Sequence, residues 1–405
     1  MPSSVIRSAV SPPRMKWHPP SFSLSRTRPL TSMAKCFRST AANDAAVIRA
    51  AVLKSTDSPL TIENIELPPP AAGEVHVRLA AAGVCHSDLS LANGTLSQPV
   101  PAVLGHEASG TVIAVGAGVI NVRPGNHVLL NWSPSCGTCW FCTHGEPYLC
   151  EQTAKGWQRR YARLADGTAL YAGLGTAAFG EETIVPSSAV VALPADVNLE
   201  GAALLGCAML TGVGAVINSA DVQRGESVVV FGTGGVGLSV LQGARLVGAE
   251  VVIGVDVAAD KEDRARANGA TDFMLAGDQA ARGIRDRTEG RGADHAFDCV
   301  GSATTIRQAW SSTRRGGRTT VVGIGEKDEK VEFNPQEIFY FGRVLCGCVF
   351  GSTDVSRDLP RLLEHVQSGR IRPQDLVTNR IRLEDAPDSL ARMAAGKGAR
   401  SLIIY

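Results

Sequence analysis

Val228-Val-Val-Phe-Gly-Thr-Gly-Gly-Val-Gly237 is an apolar strand pattern that runs into a glycine triplet, Gly232-x-Gly234-x-x-Gly237, and then into the helix pattern Leu238–Val247. Each glycine has a task that a side chain would obstruct: the first turns the chain, the second lets backbone approach a pyrophosphate, the third packs helix on strand. The N-terminus of the helix attracts the phosphates. Gly235 and Val236, within the turn, are counted as cofactor contacts with the three glycines. Asp256 ends the next strand, 19 residues after Gly237. A carboxylate there accepts hydrogen bonds from the adenosine ribose hydroxyls and repels a 2′-phosphate, which favours NAD over NADP. Lys261 is placed to reach the same ribose.

Outward from this turn, strand and helix patterns alternate over 210–349: Ser227–Phe231, Gly232–Val247, Val251–Val255, Lys261–Asn268, Asp294–Cys299 and Thr319–Gly323. Alternation of this kind predicts an α/β domain with a doubly wound parallel sheet. Upstream, 46–209 reads as strand and turn, with Val75-His-Val-Arg-Leu79, Gly110-Thr-Val-Ile-Ala-Val115 and His127-Val-Leu-Leu130 between Gly and Pro. The remaining 350–405 holds two helix patterns and a last apolar strand, too little for a third core, and is expected to return to the β-rich domain.

The chain has 405 residues, 40 basic and 39 acidic, for a net charge of +1. No basic block in the folded part offers a nucleic-acid surface, so a small neutral or singly charged ligand is expected. The longest apolar runs are too short to span a bilayer. Residues 1–43 carry Arg7, Arg14, Lys16, Arg26, Arg28, Lys35 and Arg38 with many Ser and Pro and no acid before Asp44. That composition fits a transit peptide; a disordered tail, or a true start at Met33, fits as well. The extension 1–45 is set apart from the fold. A cytoplasmic enzyme is expected, or a mitochondrial-matrix one if the leader is real.

Ten cysteines in 405 residues are far fewer than a disulfide scaffold uses. Four of them, Cys136, Cys139, Cys142 and Cys150, form a Cys-x2-Cys-x2-Cys-x7-Cys run that can wrap one tetrahedral ion. Four thiolates leave no open coordination position, so this zinc is read as structural, and His144 inside the run as a solvated loop residue. Cys85, His106 and Cys207 are scattered, but two thiolates and one imidazole with a fourth position open make a catalytic zinc site.

Together these motifs make the chain resemble the zinc-dependent medium-chain alcohol dehydrogenases from about Ala46 to Tyr405. Cys85-His-Ser-Asp88, Gly105-His-Glu107, Gly206-Cys207, the structural cysteines, the glycine turn and Arg400 follow in family order. The resemblance implies a GroES-like β-rich catalytic domain, a Rossmann coenzyme domain, two Zn2+ per subunit, and NAD. It places Cys85, His106 and Cys207 on the catalytic zinc. It counts Glu107 with the metal residues, and sets Glu107 and Asp88 just behind the ion. His86, Thr211 and Arg400 become cofactor contacts. Ser87 becomes the proton link between the metal-bound oxygen and the nicotinamide ribose, and Trp132 and Phe179 wall the substrate pocket. The histidine that continues the proton relay in several animal enzymes is Ser90 here.

The reaction implied is reversible oxidation of primary alcohols, aromatic ones among them, to aldehydes, with hydride passing from a zinc alkoxide to NAD. The alternative is oxidation of an S-hydroxymethyl thiol adduct. Ala154, Thr95 and Ser97 stand where glutathione-type enzymes carry charge, while Leu130-Asn-Trp132 and Leu205–Asn218 are similar to mycothiol-dependent enzymes. Zinc-free quinone reductases and crystallins of the superfamily lack these ligands. The loop Glu151–Leu174 matches dimeric family members and favours a homodimer.

Overall fold

The strand Ser227–Phe231 is central to a six-stranded sheet in the computed structural model, which describes residues 45–405 except 278 and 398–399. The reading of the N-terminal extension falls on 1–44, outside the described residues. In chain order the strands are Ser227–Phe231, Val251–Asp256, Asp272–Leu275, Ala293–Asp298, Thr313–Val321 and Val344–Gly347. All neighbours pair in parallel, in the spatial order third, second, first, fourth, fifth, sixth. Order reverses between the first and fourth strands, and such a reversal opens a crevice at the carboxyl ends of the strands. Val228, Val229 and Val230 are fully buried, which is why this strand reads as an unbroken apolar run rather than an alternating one. The helix Gly235–Val247 follows and stops at Gly248, whose φ of +84° is the left-handed cap that glycine supplies.

The first half is β-rich, as its punctuation predicts. Five strands, Ala46–Leu53, Thr61–Leu67, Ala102–Val103, Arg160–Leu164 and Ala169–Ala172, close a barrel. A second sheet is built on Glu74–Val84 and Glu107–Val115, which pair antiparallel from Val75↔Val115 to Gly83↔Glu107. The last strand, Ser401–Ile404, pairs antiparallel with the other edge of Glu74–Val84, placing Ser401 opposite Val84.

Two boundaries differ from expectation. The division at 209–210 falls inside the helix Ala208–Gly214, which belongs to the core beneath the glycine-turn helix. The tail also returns later than 350: the helix Val355–Gln367 buries Leu359, Leu362 and Leu363 in that same core. Asn379–Ile381, Leu383–Asp385, Ala386–Ala394 and Ser401–Ile404 rejoin the β-rich half. Among the described residues no single helix is long and apolar enough to cross a membrane.

Candidate active site

Three segments bring the scattered ligands together. Cys85 caps the short helix His86–Ala92, His106 precedes the strand Glu107–Val115, and Cys207 precedes the helix Ala208–Gly214. Their ligand atoms lie within 4.8 Å of one another and all three residues are buried. Asp88 fixes the arrangement. One carboxylate oxygen accepts the Cys85 N–H at 3.0 Å, and the other accepts the Gly105 N–H and faces His106 Nδ1, each at 3.0 Å. With Nδ1 so engaged, His106 presents Nε2, which is buried and has no protein partner. An orphaned imidazole nitrogen beside two thiols is the donor set that zinc takes.

The charges of the cluster also call for a cation. Hydrogen bonding with Cys207 lowers the Cys85 thiol well below its ordinary value, against its burial and with help from Arg400, while Cys207 is raised because it keeps the shared proton. Burial alone would lower His106, but the Asp88 carboxylate and Cys85 outweigh it and raise the imidazole.

Glu107 stands outside this ligand cluster, just behind it. Its Oε1 accepts the Ala208 N–H at 2.8 Å, and its Oε2 lies 3.0 Å from Arg400 Nη1. A Cβ on Gly83 would sit 2.1 Å from that Oε2, so glycine at 83 makes the room. Glu107 thereby ties the Cys207 segment to Arg400. Burial pushes its carboxyl up to about 7, with Arg400 opposing.

The glycine turn lies in the same cleft of about 790 Å3. Gly232 has φ +87°, and a Cβ on Gly237 would lie 1.8 Å from the Gly232 carbonyl oxygen, so the third glycine does serve close packing. Gly234 faces open space at the helix N-terminus, a cradle suited to a phosphate. Arg400 lies beneath this turn, for a Cβ on Gly235 would meet its Nη2 at 2.6 Å. Because Ser401 pairs with Val84, Arg400 also donates Nη1 to the Val84 carbonyl at 3.0 Å, next to the first zinc cysteine. Asp256 Oδ2 accepts the Thr233 N–H and hydroxyl at 2.8 and 2.9 Å. Lys261 Nζ lies 3.1 Å from both Asp256 oxygens. Burial would raise Asp256, but Thr233 and Lys261 together hold it low and ionised. His86, Ser87, Thr211, Val236 and Lys261 also line the cleft.

The substrate end departs from expectation in one residue. Trp132 lines the cleft, its ring 6.2 Å from that of His106 and 4.9 Å from Phe350. Phe179 does not; it is fully buried in the core of the β-rich half, behind the metal loop. Gly105, at φ +88°, lets that loop lie on it, since a Cβ there would be 2.5 Å from Phe179 Cδ1. The wall is completed instead by Trp157, 6.4 Å from Trp132, with Leu96, Leu174 and Phe350. Trp157 ends a Gly- and Ala-rich turn, and a lone aromatic there was its only signal. Ser90, in the position of the relay histidine, is buried and does not line the cleft.

Apart from this cleft, Cys136, Cys139, Cys142 and Cys150 converge in their own lobe. Sulfur separations of 3.5, 3.9 and 4.0 Å exclude disulfides. They match the ~3.8 Å edge of a tetrahedron with ~2.3 Å zinc–sulfur bonds. The Thr138 hydroxyl and the N–H groups of Thr138 and Cys139 lower Cys136 to about 6. Burial and its neighbouring thiols push Cys142 up to about 12, the like-charge crowding that a cation relieves. His144 stacks on Trp140 at 4.2 Å and stays outside the cluster.

Comparison with known proteins agrees with this geometry. Residues 71–195 match the alcohol dehydrogenase GroES-like domain and 235–368 the zinc-binding dehydrogenase domain. S-(hydroxymethyl)glutathione dehydrogenase of Paracoccus denitrificans is 35% identical over 374 residues, covering 88% of this chain and 99% of the relative. The chain belongs to the zinc-binding alcohol dehydrogenases. Among solved structures, this dehydrogenase is similar to an alcohol dehydrogenase zinc-binding domain protein of Burkholderia ambifaria, with TM-score 0.83, 31% identity, and coverage of 89% and 99% of the two chains. It is also similar to benzyl alcohol dehydrogenase of Acinetobacter calcoaceticus, with TM-score 0.81, 28% identity and the same coverage. The dehydrogenase is thus a zinc- and NAD-dependent oxidoreductase of the alcohol dehydrogenase type, built on a GroES-like and a Rossmann half.

Proposed function

We propose that the enzyme oxidises primary alcohols, aromatic ones among them, to aldehydes with NAD. The observation that carries this is the aromatic corner of Trp132, Trp157 and Phe350 beside His106. The charged lining residues Asp256, Lys261, Arg392, Lys397 and Arg400 all belong to the cofactor half or the C-terminal segment. A flat, uncharged side chain fits such a corner, and benzyl alcohol is the simplest example.

When bound, the zinc polarises a hydroxyl oxygen and the nicotinamide accepts hydride. Cys85, His106 and Cys207, which line the cleft, would hold the metal by three ligands. Ser87, with Oγ 3.8 Å from Cys85 Sγ, receives the substrate proton and passes it toward solvent. Trp132, Trp157 and Leu174 keep water from the reacting carbon. Asp256, Gly234 and Arg400 orient the dinucleotide.

A second reading is favoured by the relatives named S-(hydroxymethyl)glutathione dehydrogenase, at 35% and 36% identity. Here the substrate would be a thiol adduct of formaldehyde. An NADH-production screen of benzyl, linear and branched alcohols, and of formaldehyde with glutathione or mycothiol, separates the two. Turnover of benzyl alcohol without thiol is expected; activity confined to thiol adducts would refute the main reading.

The enzyme is read as a homodimer. Support comes from the sheet-edge strand Val344–Gly347 and the adjoining helix Pro335–Phe341, where Phe339 is 84% and Tyr340 71% exposed. Phe339→Asp/Tyr340→Asp should sediment as a monomer, and an unchanged mass would remove this support. We place it in the cytoplasm, a placement that mitochondrial import of a reporter fused to residues 1–45 would overturn.

A further inference from the structure

Away from the catalytic cleft, a cavity of about 240 Å3 opens between the glycine-turn helix, the end of the helix Glu262–Ala267 and the loop Gly369–Asp375. Arg245, Arg370 and Arg372 line it. Among the described residues none of these guanidiniums pairs with a carboxylate, although Asp375 shares the wall and 15 Lys or Arg ion pairs occur elsewhere. Arg370 and Arg372 use Nε on Ser368 Oγ at 3.1 Å and on the Gly369 carbonyl at 3.4 Å, and among the described residues Arg245 makes no side-chain hydrogen bond. Arg245 offsets the carbonyl end of its own helix, but Arg370 and Arg372 lie beyond the end of theirs, where no dipole asks for them.

The floor is rigid. Buried Gln242 donates Nε2 to Asn268 Oδ1 at 2.6 Å and to the Arg372 carbonyl at 3.0 Å, and accepts the Arg372 N–H at 2.8 Å. Ile371, between the two loop arginines, is buried in the core, so its neighbours are held outward on a pinned backbone. Three exposed guanidiniums set around one concavity on fixed backbone give it a positive field that draws anions, and planar guanidiniums are matched to phosphate oxygens.

We propose that this cavity is a binding site for a compact phosphate-bearing anion, distinct from the dinucleotide cleft. Its volume is below the ~300 Å3 of the smallest drug-sized sites, so a phosphate monoester of a few carbons fits where a dinucleotide does not. The loop that carries Arg370 and Arg372 leads within a few residues to Thr378 and Asn379, which line the cofactor cleft, so the two sites share a backbone segment.

The test is a calorimetric titration of the full, zinc-loaded chain with glycerol 3-phosphate. NAD is kept saturating to fill the cleft, ionic strength is held constant, and sodium chloride is the control titrant. Saturable binding of one molecule per chain is expected. Arg370→Gln/Arg372→Gln and, separately, Arg245→Ala should each weaken it by roughly tenfold or more, as loss of charge-assisted contacts does. Turnover without the phosphate should be unchanged in both, showing that the variants are folded. Absence of saturable heat with NAD bound, or equal affinity in wild type and both variants, would overturn the proposal.

Discussion

Replacing Arg400 by methionine keeps the length of the side chain and removes its charge. Arg400 and Glu107 are 3% and 0% exposed and 3.0 Å apart, so the change strands a carboxylate that only the Ala208 N–H then serves. Breaking one half of a buried pair costs about 3–5 kcal/mol. Glu107 already sits at about 7 with Arg400 present. A zinc ion at the neighbouring thiolates would offset part of the lost charge, which holds the cost near the lower end, about 3 kcal/mol. At ~2.1 cal/mol/K per residue over roughly 360 folded residues, that is a fall in melting temperature of about 4 °C. Scanning fluorimetry of the zinc-replete protein reads it. Glu107→Gln/Arg400→Met should regain about 2 kcal/mol relative to the sum of the single changes. The glycine turn still lacks its cation in the double variant, so NAD affinity should stay at least tenfold down in both. A melting temperature within about 1 °C of wild type for Arg400→Met, or a double variant no better than additive, would refute the reasoning.

Gly237→Ala should cost about 1–3 kcal/mol and weaken NADH binding in a fluorescence titration, because its Cβ meets the Gly232 oxygen at 1.8 Å. Asp294 joins two central strands through the Ser227 N–H at 2.8 Å and hydroxyl at 2.6 Å, and these bonds with Arg314 hold it at about 2 against its burial. A depressed carboxyl stabilises above the unfolded value near 4 and loses that contribution as pH falls toward 2, so Asp294→Asn should cost ~1–2 kcal/mol at pH 7 after solvent screening and progressively less below pH 4 in acid-unfolding curves. Cys207→Ser and Cys139→Ser should each reduce bound zinc from two to one per chain by elemental analysis, the first abolishing turnover, the second lowering the melting temperature while turnover at low temperature persists.

The cofactor half was legible because its signals are local: strand, glycine turn and acid lie within 30 positions, each tied to backbone geometry. The ligands Cys85, His106 and Cys207 were legible through their flanking residues, not their spacing, since nothing in the chain shows that three distant loops meet. Glu107 was read both with the metal residues and just behind the ion, because a glutamate adjoining a ligand histidine reads the same whether it turns toward the ion or away; here Gly83 and Arg400, from distant segments, hold it beside the cluster. Phe179 and Trp157 were exchanged for a similar reason. Which aromatic faces the cleft depends on Gly105 laying the metal loop across Phe179, a tertiary contact without a sequence period.

The pairing of Ser401–Ile404 with Glu74–Val84 has a consequence for biosynthesis. The metal-binding half is assembled from two stretches that the coenzyme half separates, so on the ribosome its central sheet keeps an open edge until Ser401–Ile404 has been made. The coenzyme half, whose strands lie within one continuous stretch, is free to form first. A translation product stopped before position 400 therefore carries a finished nucleotide fold beside an unsealed strand edge, the kind of surface that chaperones engage and that recruits other chains into aggregates.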